Sequence, residues 1–204
     1  MMQAIRRWGF AFAMLLVSAT PVSAAETPTD TVKGAIEQVI AGLKGHNLER
    51  EARWASIGRI INDRFDFRSM SQSVLATNWQ DATAEEKRQF VEYFSQYLEV
   101  TYRTKIESYS DQRVEYLAEQ VRKDRATVDT AVVTSAKRIP ITYRLKLTKG
   151  KWVAYDVVIE GISLVNNYRS TFSAIVKAGG MDGLLTDLEG RISNYRRKHG
   201  GLAQ

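Results

Sequence analysis

The hydrophobic period of this chain changes once along its length, and that change restricts the fold more than any other feature. Residues 138–149 read RIPITYRLKLTK. Ile139, Ile141, Tyr143, Leu145 and Leu147 alternate with Pro140, Thr142, Arg144 and Lys146, the period-two pattern of a strand with one apolar and one polar face. Residues 113–121 and 126–134 read as two earlier strands joined by the turn-like RKDR. Lys149-Gly150-Lys151 turns the chain into a fourth strand, 152–159. Four consecutive strands with short connections predict an antiparallel meander.

Upstream the period is helical. Val32, Ile36, Val39, Ile40 and Leu43 form one stripe over 29–44, stopped by Gly45. Second and third helices are expected at 48–65 and 67–75. Thr83-Ala84-Glu85-Glu86 is a capping box, in which hydroxyl and carboxylate each satisfy a backbone N–H. It opens a long helix from 84 to about 109 with Phe90, Phe94, Tyr97, Leu98, Thr101 and Ile106 on one stripe. After the sheet, helices are expected at 164–177, halted by Gly179-Gly180, and at 182–198. The predicted class is α+β: a four-stranded antiparallel sheet covered by N- and C-terminal helices. An apolar sheet face must be covered, and such a shell can leave an apolar cavity between its layers.

Residues 1–24 are set apart. Arg6 and Arg7 precede an apolar run, Trp8 to Val17, and a small-residue stretch follows. This is the pattern of a cleaved secretory leader; the run is too short to span about 30 Å of hydrocarbon. Residues 25–204 are then one domain, with no repeat or Pro/Gly-rich boundary. The chain has no cysteine, so an exported protein of this kind relies on its core rather than on disulfides, which fits a bacterial periplasm. Lys and Arg number 29 and Asp and Glu 23. Without Arg6 and Arg7 the balance is a mild +4, short of the dense basic face of a nucleic-acid binder.

Residues that do chemistry are scarce. The histidines are His46 and His199, with no metal-ligand spacing, and no cofactor motif is present. Gly179 to Gly183 follows a helix and lacks a Lys-Ser/Thr end, so it reads as a helix stop rather than a phosphate loop. Asp156, midway along an otherwise apolar strand, has two readings: a general base in an apolar pocket, or an ion pair with Arg169 or Arg144. Phe90, Phe94 and Tyr97, like Leu164, Tyr168, Phe172 and Ile175, are core by default; periodicity does not distinguish packing on one another from packing on a ligand.

Three stretches carry a resemblance: FDFRSMSQSVLATNW at 65–79, FVEYFSQYLEVTY at 90–102, and WVAYDVVIEGISLVNNYRSTF at 152–172. Together they resemble the MlaC-type periplasmic phospholipid carriers of the toluene-tolerance family, in order from about residue 29 to 197. Ala76 departs from the pattern, which has glycine there, and bears on that turn alone. The resemblance implies a protein with acyl chains held between sheet and helices and the headgroup toward solvent. It also implies a shuttle between an outer-membrane lipoprotein–porin complex and an inner-membrane ABC transporter, maintaining outer-membrane lipid asymmetry. Such carriage requires no catalysis, and a monomer suits a shuttle, though the sequence leaves the oligomeric state open. On that basis Ile141, Tyr143, Leu145, Leu147, Val157 and Ile159 are expected to form one wall of a lipid site. Phe90, Phe94, Tyr97, Tyr168, Phe172 and Ile175 are expected to form the opposing wall. Leu145→Arg is then expected to lower co-purified lipid more than thermal stability. A periplasmic chaperone, or a small α+β enzyme using Asp156 on an apolar substrate, are the alternatives.

Overall fold

The computed structural model describes residues 26–45, 49–109 and 112–199. The leader, His46 and the start of the second helix at residue 48 lie outside the described residues. The element order is α1 (Pro28–Lys44), α2 (Arg50–Arg64), α3 (Phe67–Leu75), α4 (Asn78–Asp81), α5 (Ala84–Glu107), β1 (Arg113–Arg122), β2 (Arg125–Val133), β3 (Arg138–Thr148), β4 (Lys151–Ile159), β5 (Ile162–Ser163) and α6 (Leu164–His199).

The local signals act as their chemistry requires. At α5, the Thr83 N–H donates to Glu86 Oε2 at 2.7 Å and the Glu86 N–H donates to Thr83 Oγ1 at 3.2 Å, closing the capping box. Thr27 and Asp30 close a second box at α1. Asp66 caps α3 by accepting from the Ser69 N–H at 2.8 Å, and Lys146 of β3 reaches the same carboxylate at 2.6 Å, which ties helix to sheet. The expected break at Gly179-Gly180 is a kink inside α6, where Gly180 takes φ 69°, a conformation that glycine adopts without steric penalty.

The sheet is antiparallel, in the order β1-β2-β3-β4-β5. Its fifth strand is a correction to the four expected. Two residues are too few to show a period, but the turn at Glu160-Gly161, with φ 50° and 83°, folds Ile162 and Ser163 back to pair with Ile159 and Val158. Two packed cores result. One lies among the helices and is built on Met70, Phe90, Phe94, Phe172, Leu184 and Leu188. The other joins α1 to the sheet through Val32, Ala126, Val128 and Leu145.

Ala76 sits just after α3 with φ 51° and ψ −117°, a positive-φ conformation that glycine adopts without steric cost and alanine does not. A Cβ there carries strain of about 1–3 kcal/mol. Ala76→Gly is therefore expected to stabilise the fold by about 1 kcal/mol and raise Tm by about 2–4 °C, read by thermal unfolding. A lower Tm would show that the turn is not strained.

Candidate functional site

The space between the two cores is a cavity of about 910 Å³, near the upper end of the 300–1,000 Å³ typical of ligand pockets. Its floor is the inner face of the sheet and its roof is made by α1, α2 and α5. A frame shift in the strands makes that floor apolar. Leu145 pairs with Ala154, but Arg144 pairs with Asp156, so Tyr155 is an extra residue, a β-bulge. Strict alternation would place Asp156 inside with Trp152 and Ala154. The bulge instead turns Val157 and Ile159 inward, opposite Tyr143 and Ile141, and sends Asp156 to the other face.

On that face Asp156 is 3 % exposed and fully engaged. Its carboxylate accepts from Arg144 Nη1 at 3.0 Å, from Ser163 Oγ at 2.7 Å and from the backbone N–H of Val165 at 3.2 Å. Of the two ion-pair partners that the sequence allowed, Arg144 is the one found; Arg169 donates to the Ser73 carbonyl instead. Asp156 thus holds β4, β5 and the start of α6 together. This is the work of a structural anchor, and it leaves no oxygen turned toward the cavity.

The roof mixes apolar and polar chemistry. Val39 and Ile40 of α1, Ile61 of α2 and Ile106 of α5 face the space. Glu92, Gln96, Glu99 and Lys105 of α5 and Asn62 of α2 form its polar margin. Burial pushes the Glu99 carboxyl up, against the pull of Arg103 and Arg196. On the floor, burial pushes the Tyr143 hydroxyl up to about 12, so it stays neutral at ordinary pH. One end of the roof is clamped. Arg50 of α2 donates to both oxygens of Glu107 on α5, at 2.9 and 2.8 Å, and the Trp54 indole N–H donates to Glu107 at 2.5 Å. Arg103 lies 4.8 Å over the Trp54 ring and grips Glu51 at 2.7 Å.

Of the expected site residues, Ile141, Tyr143, Leu145, Val157 and Ile159 are on the cavity wall. The expected opposing wall is not. Phe90, Phe94, Tyr168 and Phe172 stack on one another at centroid distances of 5.4–5.9 Å, with Tyr97 and Ile175 packed beside them. They are the helical core, because the stripe of α5 that carries them faces α6. Leu147 also misses the cavity: it is 42 % exposed at the end of the sheet. Leu145 is 1 % exposed and packs in the sheet-side core, so Leu145→Arg would bury a charge and does not separate lipid loss from unfolding. The α1 stripe that roofs the cavity was legible in the sequence as a helical stripe, with nothing local to mark it as a cavity wall.

Among the described residues there is no acidic, histidine or cysteine cluster able to hold a metal and no helix long and apolar enough to cross a membrane. A profile of the MlaC protein family matches residues 33–190. The chain belongs to the MlaC family. Within reach of that family, a solved phospholipid-binding protein from Ralstonia solanacearum, in complex with a phospholipid, shares the fold with a TM-score of 0.75. It is 26 % identical, over 84 % of this chain and 98 % of that one. The toluene tolerance protein ttg2D of Pseudomonas putida is 24 % identical over 180 residues, 83 % of either chain. The intermembrane phospholipid transport system binding protein MlaC of Haemophilus influenzae is 25 % identical over 122 residues, 57 % of either chain.

Proposed function

We propose that this MlaC-family protein is a periplasmic carrier that holds a phospholipid by its acyl chains. The observation that carries the reading is the apolar cavity between sheet and helices, in a chain similar to a protein solved with a phospholipid bound. Its dimensions suit the cargo. Strands of 9–11 residues run about 30 Å, and one leaflet of a bilayer's hydrocarbon is about 15 Å deep. Ile141, Tyr143, Val157 and Ile159 contact the tails from below; Val39, Ile40, Ile61 and Ile106 contact them from above. The polar margin on α5 lies where the headgroup meets water.

Each buried methylene is worth about 0.8 kcal/mol. Two chains of roughly 15 methylenes therefore cost on the order of 20 kcal/mol to expose to water. A protein interior that replaces the bilayer removes most of that barrier, and hand-off proceeds between docked sites of similar free energy. The leader directs export. The donors and acceptors are an outer-membrane lipoprotein–porin complex and an inner-membrane ABC transporter, and the outcome is maintained lipid asymmetry of the outer membrane. The protein works as a monomer and catalyses no reaction. Asp156, the candidate base, is already engaged by three donors.

Native mass spectrometry of the purified protein tests this. The expected result is an added mass equal to a diacyl phospholipid, retained by Asp156→Asn, with that variant's Tm lowered by a few degrees as the anchor weakens. Bound peptide in place of lipid would favour a chaperone. A lipid chemically altered by the unsubstituted protein, and intact on the Asp156→Asn variant, would establish an enzyme.

A further inference from the structure

The turns β1–β2 and β3–β4 lie side by side at one end of the sheet, where the Leu147 N–H donates to the Asp124 carbonyl at 2.8 Å. Arg122, Lys123 and Arg125 sit on the first turn, Lys149 and Lys151 on the second, and all are exposed. Asp124 is the one acid in these turns, and its nearest cation contact is Arg125 at 3.9 Å. Among the described residues no carboxylate pairs with Arg122, Lys123, Lys149 or Lys151. The opposite end of the sheet differs: there Arg113 and Arg138 pair with Glu115 at 2.5 and 3.0 Å, and Lys137 pairs with Glu160 at 3.5 Å. The unpaired charge of the sheet is therefore gathered at one end.

Apolar side chains accompany those cations. Val121 and Leu147 are 50 % and 42 % exposed. Leu147 pairs across the ladder with Trp152, and Val121 with Ala126. They continue the inner face of the sheet beyond the start of α1, where the Thr29 N–H donates to Glu119 Oε2 at 2.7 Å. We propose that this end of the sheet docks on an anionic phospholipid bilayer, with Val121 and Leu147 at the interface, Trp152 packed behind them against the sheet-side core, and Arg122, Lys123, Lys149 and Lys151 among the phosphates. A bilayer supplies both chemistries in layers: anionic oxygens outside and hydrocarbon within. An acidic protein surface would answer the cations and leave Val121 and Leu147 in polar surroundings. The surface is separate from the cavity and does not depend on what the cavity holds.

Vesicle flotation of the purified protein tests it, using phosphatidylcholine vesicles with and without phosphatidylglycerol. Binding is expected with the anionic vesicles only and should weaken as salt screens the charges. Each cation near the surface contributes roughly fivefold, so Lys149→Glu with Lys151→Glu should weaken binding by at least about tenfold. Leu147→Ser should weaken it at every salt concentration. Arg113→Glu with Lys137→Glu makes the same change in net charge at the other end and should leave binding within about twofold. All these positions are exposed, and equal melting curves would verify the fold. No flotation of the unsubstituted protein on anionic vesicles overturns the proposal, as does equal loss in both charge-reversed pairs. Retention on an acidic protein that is lost in Lys149→Glu with Lys151→Glu, without any vesicle binding, also overturns it and makes the surface a protein dock.

Discussion

Replacing Ile141 and Ile159 together with tryptophan is expected to strip the protein of co-purified phospholipid while leaving it folded. The two residues are direct partners on β3 and β4. Both are half-buried and face the cavity. An indole is larger than the side chain it replaces and is well accepted in strands, so the added bulk projects into space that the tails would use. Displacing about four methylenes forfeits about 3 kcal/mol, more than a hundredfold in affinity. Lipid quantified after extraction should fall accordingly, with Tm within a few degrees of the unsubstituted protein. Unchanged lipid content in a folded variant would place the tails elsewhere.

The second large effect is at the clamp between α2 and α5. Hydrogen bonds from Arg50, opposed by partial burial and reinforced by Trp54, hold the Glu107 carboxyl at about 2, below its ordinary 4.5. A folded-state value below the unfolded one stabilises the fold above pH 4.5 and loses that stabilisation as pH falls toward 2. Solvent reaches both partners, Arg50 being 41 % and Glu107 26 % exposed, so screening leaves about 1–2 kcal/mol of this shift as stability. Glu107→Gln also leaves Arg50 without its charge partner, while Arg103 keeps Glu51. The variant should lose about 1–2 kcal/mol at neutral pH, lowering Tm by about 2–8 °C. Its stability should also vary less between pH 5 and pH 2 than that of the unsubstituted protein. Identical acid-unfolding curves for the two would remove Glu107 from the balance.

The elements were legible because their signals are local. The Thr83 capping box, the alternation of residues 138–149 and the Gly179-Gly180 break each act within a few residues, and each appears where the sequence places it. At Ala76 the family resemblance, rather than a local signal, expects glycine, and the residue takes a positive φ of 51° that glycine would relieve. The sheet side of the cavity was also legible as a shared apolar face. The β3 residues and their β4 partners share a face because period and register are linked. The helix side was not. The aromatic stripe of α5 and the apolar stripe of α1 look alike in sequence, yet one packs on α6 and the other roofs the cavity.

By itself the sequence determined the order of the longer helices and strands, the apolar face of β3 and the family resemblance, since hydrogen-bonding caps, turn residues and side-chain period depend only on near neighbours. Tertiary structure alone decided which apolar faces meet each other and which enclose space. It also decided that Asp156 is an anchor. The single extra residue at Tyr155 reverses the facing of every side chain after it, and only pairing with β3 reveals that reversal.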